Sequence, residues 1–119
     1  MKDRNSFTLV EILFVVLIIG LLAMLAVPNF TKATSITQKY MCINNLRRIE
    51  LAKEQWGLEN GKTAANPAPL AADLDPYIKD GTASVVCPAD PAATFSTSYT
   101  INVLGTKAAC KISPATHHL

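Results

Sequence analysis

The distribution of apolar and polar positions divides the chain into stretches of different character. Residues 1–6 are mostly polar and carry Lys2 and Arg4, whereas residues 7–27, FTLVEILFVVLIIGLLAMLAV, are apolar almost throughout and hold a single charge, Glu11. At ~1.5 Å per residue, a helix of ~21 residues reaches ~30 Å, the thickness of a bilayer's hydrocarbon core. The pattern therefore predicts a membrane-spanning helix. A secretory signal cut near AMLAVPN would need a shorter apolar stretch. A buried soluble helix would need more chain to cover it than the 92 residues C-terminal to it. Lys2 and Arg4 set the N-terminus on the cytoplasmic side, so the chain beyond the span emerges on the other side.

Past Pro28 the pattern becomes one-sided. Ile36, Tyr40, Ile43, Leu46, Ile49, Ala52 and Trp56 recur at three- and four-residue steps, with Lys39, Asn44, Arg47, Glu50, Lys53 and Glu54 on the other side. This predicts that the helix continues through 29–60 with one buried stripe and stops at Asn60-Gly61, which suit a left-handed cap. The rod would measure ~80 Å. Residues 62–70, with Pro67 and Pro69, read as a loop. Residues 71–78 read as one or two helical turns presenting Leu70, Leu74, Tyr77 and Ile78. Residues 83–87 read as a short strand, and 99–103 with 108–112 as a hairpin around 104–107. The fold class is α+β: a long N-terminal helix and a small antiparallel sheet, with segments 1–6, 7–28, 29–60 and 61–119.

Composition changes this picture little. With 119 residues and a net charge of +2, the chain has room for one small domain and lacks the basic stripe of an obligate nucleic-acid binder. Arg47 and Arg48 leave a local patch open. Cys42, Cys87 and Cys110 show no CxxC spacing, which argues against a zinc knuckle or a thioredoxin-type centre. Outside the cytoplasm two of the three could form a disulfide. Asp73, Asp75, Asp80 and Asp90 raise calcium as a possible ligand, but their spacing does not match an EF-hand, and solvated loop carboxylates are the default. His117 and His118 read as a polar tail rather than a metal site. No nucleophile, base and orienting group form a set, so no enzyme, no cofactor and no metal are expected.

Glu11 carries the functional reading. A carboxylate at the centre of a bilayer costs about 2.5–3.5 kcal/mol on insertion scales, and less near the interface, where it can snorkel. The string Ser6-Phe7-Thr8-Leu9-Val10-Glu11, preceded by Lys2 and Arg4, resembles the processing site of type IV prepilins and of type II secretion pseudopilins. The resemblance covers about the first 30 residues. It implies cleavage between Ser6 and Phe7 by a prepilin peptidase, methylation of the new Phe7 amine, and Glu11 as the acid that pairs with that amine in a neighbouring subunit. Ser6 departs from the family's usual Gly at that place. Gly20 and Pro28 match positions where pilins carry helix-weakening residues; a plain kink at Pro28 is the simpler reading.

The same resemblance implies a pilin-like fold and, from Cys87-Pro88 with a late Cys110, a Cys87–Cys110 disulfide, with Cys42 bonded to either one as the alternative. Calcium, bound by some major pseudopilins in this region, would enter by the same route. The implied function is structural: a filament subunit, foremost a type II secretion pseudopilin. It would be held in the bacterial inner membrane as a single-pass precursor, with its C-terminal domain periplasmic or extracellular before assembly. Implied partners are further copies of the chain, minor pilins, the peptidase, an inner-membrane assembly platform and membrane lipid. The alternative is a minor pilin binding DNA, a surface or secretion cargo at a filament tip.

Overall fold

The computed structural model describes residues 8–119. The chain divides into two compact units, Met1–Thr34 and Ser35–Leu119, and a 52-residue helix, α1 (Leu9–Asn60), contributes to both.

In the first unit α1 begins at Thr8, whose Oγ1 accepts the Glu11 amide at 3.1 Å while its carbonyl accepts Ile12 N–H at 3.2 Å. Thr8-x-x-Glu11 thus supplies an N-cap and an acid in the first turn, where the helix dipole favours negative charge. The helix is unbroken at Gly20 and Pro28. Pro28 lacks an N–H and cannot bond to the carbonyl four residues back, and short polar side chains engage backbone carbonyls around it. Asn29 Nδ2 donates to Leu25 O at 3.1 Å, Thr31 Oγ1 to Pro28 O at 2.9 Å and Thr34 Oγ1 to Phe30 O at 2.9 Å.

In the second unit α1 ends as its sequence requires. Gly61 adopts φ 63°, and Lys62 N–H bonds back to Gly57 O at 2.9 Å, which closes the last turn. The buried stripe is Cys42, Leu46, Ile49, Ala52, Lys53 and Gly57. Tyr40 and Ile36, expected in that stripe, are exposed, and Lys53, expected on the wet face, is fully buried. Leu46 and Ile49 each contribute about 2 kcal/mol by leaving water.

The remaining elements wrap this stripe. α2 (Ala71–Leu74) runs into a 3-10 turn at Asp75–Tyr77, and together they bury Leu74 and, just beyond, Ile78; Leu70, expected to pack here, is exposed. The strand expected over 83–87 is replaced by a 3-10 turn at Thr82–Ser84 and an extended segment that buries Val85 and Cys87 without ladder pairing. A short helix absent from the expectations, α3 (Phe95–Ser98), is capped by Thr94, whose side chain accepts the Thr97 amide at 3.4 Å.

The hairpin exists but is cut to β1 (Tyr99–Thr100) and β2 (Ala109–Cys110), antiparallel with Tyr99 opposite Cys110 and Thr100 opposite Ala109. It stops short because its loop carbonyls are taken elsewhere. Lys53 Nζ donates to Ile101 O at 2.9 Å, Val103 O at 3.4 Å and Thr106 O at 2.6 Å. Glu50 stands 2.8 Å from the same ammonium and accepts the Ala108 amide.

Candidate functional site

The first unit presents one face of chemistry, a helix surface that is apolar all round. Its large side chains from Leu9 to Val27 keep between 41% and 77% of their area exposed, so none of the described residues covers them. A segment of this length and hydropathy meets the requirement for crossing a bilayer. Glu11 lies in its first turn, and no side chain among the described residues pairs with its carboxylate. The expected processing site, Ser6 and Phe7, and the leader 1–6 lie outside the described residues. Gly20 is on the exposed surface, and a Cβ there would meet nothing within 4 Å.

The second unit contains a cluster that sequence spacing does not reveal. Cys42 of α1, Cys87 of the extended segment, Cys110 of β2 and His117 are all buried, and their Sγ and imidazole nitrogen atoms lie within 4.8 Å of one another. The expected Cys87–Cys110 disulfide is not formed: the two sulfurs are 3.9 Å apart as thiols, and Cys42 is a thiol as well. His117, expected in a loose tail, is turned inward by its amide bond to Ser113 O at 2.8 Å. Its Nδ1 sits 3.7 Å from Cys87 Sγ and 3.9 Å from Cys110 Sγ. His118 is exposed.

The electrostatics follow from burial. Desolvation pushes the Cys42 thiol far above the usual range, partly opposed by a hydrogen bond from the Tyr99 hydroxyl. It also raises Cys87, partly opposed by the Ala89 amide. Burial, aided by the Lys39 charge, lowers His117 and keeps its ring neutral. The Tyr99 hydroxyl, itself raised by burial, accepts from Asn45 Nδ2 at 3.1 Å. Asn45 also donates to Val86 O at 2.9 Å and so ties α1 to the segment that carries Cys87.

Three of the four aspartates considered for calcium engage nearby backbone or side-chain donors. Asp73 Oδ2 accepts Leu70 N–H at 2.8 Å, Asp90 Oδ1 accepts Ala92 N–H at 3.0 Å, and Asp75 Oδ1 accepts both the amide and the hydroxyl of Thr82. A shallow groove of about 390 Å³ between Leu70, Phe95, Tyr99, Asn102 and Lys111 contains one charged side chain, Lys111, and no carboxylate or imidazole.

Comparison with known proteins bears on the first unit most directly. A family model described as the prokaryotic N-terminal methylation motif matches residues 1–27. A fimbrial protein of Pseudomonas aeruginosa is 32% identical over 75 residues, which is 63% of this chain and 49% of that protein. The type II secretion system core protein G of Klebsiella pneumoniae is 32% identical over 62 residues, 52% of this chain and 44% of that protein. A ComG operon protein 3 homolog of Bacillus licheniformis is 29% identical over 77 residues, 65% of this chain and 77% of that protein. The chain therefore spans about half the length of the Pseudomonas and Klebsiella relatives. No solved structure gives a significant match. An apolar helix headed by Thr8-x-x-Glu11, the methylation motif over residues 1–27 and these relatives agree: the chain carries the prokaryotic N-terminal methylation motif and is similar to type IV pilins and type II secretion pseudopilins.

Proposed function

We propose that the chain is the repeating subunit of a type IV pilus-like filament, a pseudopilin of type II secretion, cut before Phe7 and held in the inner membrane until it polymerises. The observation that carries this reading is the uncovered apolar surface of α1 with Glu11 in its first turn. A solitary folded chain can keep such a surface only in lipid. In a filament the same surface packs against other copies, and the carboxylate meets the Phe7 amine of a neighbour, which lies at a matching depth.

An isolated carboxylate in an apolar medium is strongly disfavoured, and a nearby cation removes much of that penalty. Glu11 thus gives register and direction, while cohesion comes from helix packing. The Gly20 to Pro28 stretch, where polar side chains engage the backbone, is where α1 would loosen on assembly. The secretion role is supported by the likeness to core protein G, and the C-terminal unit would then lie on the far side of the membrane from Lys2 and Arg4.

The test is Glu11→Gln in cells supplied with a prepilin peptidase and assembly platform. N-terminal sequencing should find both parent and variant beginning at Phe7, with filament yield falling at least ~10-fold in the variant, since loss of a desolvated pair is worth more than about 1.4 kcal/mol. Equal filament yield, or a chain never processed at Phe7, would sink the proposal.

A further inference from the structure

We infer that Cys42, Cys87, Cys110 and His117 form a structural zinc site, with three thiolate ligands and one imidazole closing a tetrahedron around the ion. The four residues come from α1, the extended segment, β2 and the final turn, and all four are buried. The site is separate from the filament reading, because none of its members lies in the segment that carries that reading.

Geometry is the first argument. Zn–S bonds of ~2.3 Å and Zn–N bonds of ~2.0 Å arranged tetrahedrally place sulfurs ~3.8 Å from one another and ~3.6 Å from the nitrogen. Cys87 and Cys110 sulfurs are 3.9 Å apart, and His117 Nδ1 is 3.7 Å and 3.9 Å from them. Thiols packed for apolar reasons alone have no cause to direct an imidazole nitrogen to the same point.

The surroundings are the second argument. Cys110 Sγ accepts a hydrogen bond from the Ser113 amide at 3.5 Å, and the Tyr99 hydroxyl and the Ala89 amide favour the thiolate forms of Cys42 and Cys87. Such donors do little for a neutral thiol but stabilise a thiolate and fix its direction around a metal. Asn45 holds Tyr99 in place from α1.

The third argument is chemical class. Three sulfurs and one imidazole with no open position suit Zn²⁺ in a closed structural site rather than a catalytic one. On binding, the three thiols release three protons to solvent, and His117 ligates through Nδ1 while Nε2 keeps its hydrogen. The site would then carry one net negative charge, with Lys39 close enough to act electrostatically on His117. A small unit with a two-stranded sheet gains a cross-link between its helix, its middle and its end. Bound metal also withholds all three sulfurs from oxidation.

The experiment uses the full chain, extracted in detergent without chelators and with thiols blocked at lysis in a parallel sample. Zinc is measured by mass spectrometry of the metal, and Co²⁺ is exchanged in as a spectroscopic probe. We expect about one zinc per chain, a cobalt spectrum with tetrahedral ligand-field bands and sulfur-to-metal charge transfer, and a lower Tm after chelation. His117→Ala and Cys42→Ser should each lose the stoichiometric metal, and His118→Ala should keep it. His117→Asn, a milder change, should fold and still lose the cobalt bands. Three outcomes overturn the assignment: a folded, reduced chain that fails to take up added Zn²⁺, zinc retained undiminished by the His117 and Cys42 variants, or a native chain isolated metal-free with Cys87 and Cys110 oxidised to a disulfide. Filament assembly is not read in this experiment, so its result and that of Glu11→Gln are independent.

Discussion

The ammonium of Lys53 lies 2.6 Å from the carbonyl oxygen of Thr106, and this contact joins the buried face of α1 to the hairpin loop. Two further carbonyls and Glu50 complete its shell. Lys53→Met should lower unfolding stability by about 3 kcal/mol, because it leaves Glu50 and three carbonyls without their cation. Denaturant titration of the detergent-solubilised chain measures this. Adding Glu50→Gln to that variant should recover part of the loss, since the carboxylate then no longer needs a partner.

Tyr99→Phe should cost about 1 kcal/mol. The hydroxyl is buried and bonded to Asn45 Nδ2 at 3.1 Å, so its removal leaves the Asn45 amide with Val86 O as its remaining acceptor. A thermal melt unchanged from the parent would show that this hydroxyl contributes nothing net.

Acid should loosen the turn at Thr82. The Thr82 hydroxyl at 2.6 Å and amide at 2.8 Å, both donating to Asp75, hold that carboxyl below the usual carboxylate range. A folded-state pKa lower than the unfolded value means the contribution is complete above about pH 4 and is lost as pH falls through the folded pKa. The Thr82 amide resonance should therefore stay constant from neutral pH to about pH 4 and move only in stronger acid. Asp75→Asn should abolish that movement.

Gly61→Ala should destabilise the second unit by about 1 kcal/mol. The cause is backbone strain alone, since φ is 63° and an added Cβ meets no atom within 4 Å. Gly61→Asn should cost less, because Asn tolerates the left-handed region. Equal losses for the two variants would argue for a different origin.

Much of the first unit was legible because one-dimensional pattern determines it. A long apolar run and a lone Glu11 act through neighbours in sequence, as does Gly61 at the helix end in the second unit. The second unit was legible only in outline. Lys53 sits among charged residues and reads as solvated, yet three backbone carbonyls from the hairpin draw it inside; the Glu50–Lys53 spacing was the available hint. Those same contacts shortened the strands expected at 99–103 and 108–112. Cys42 shares the helical phase of Leu46 and Ile49, so its burial could have been read, but its meeting with Cys87, Cys110 and His117 depends on tertiary contacts that spacing does not encode. His117 gave no signal at all.

The uncovered helix between Leu9 and Val27 leaves the folded chain two compatible surroundings, lipid tails or other helices like itself. Exchanging one for the other swaps oil for oil, so little hydrophobic energy changes hands and the balance is tipped by packing and by a single charge. If the chain polymerises as proposed, joining the polymer and quitting the bilayer would be a single act performed at the membrane, and a subunit freed from the polymer would dissolve back into lipid without unfolding.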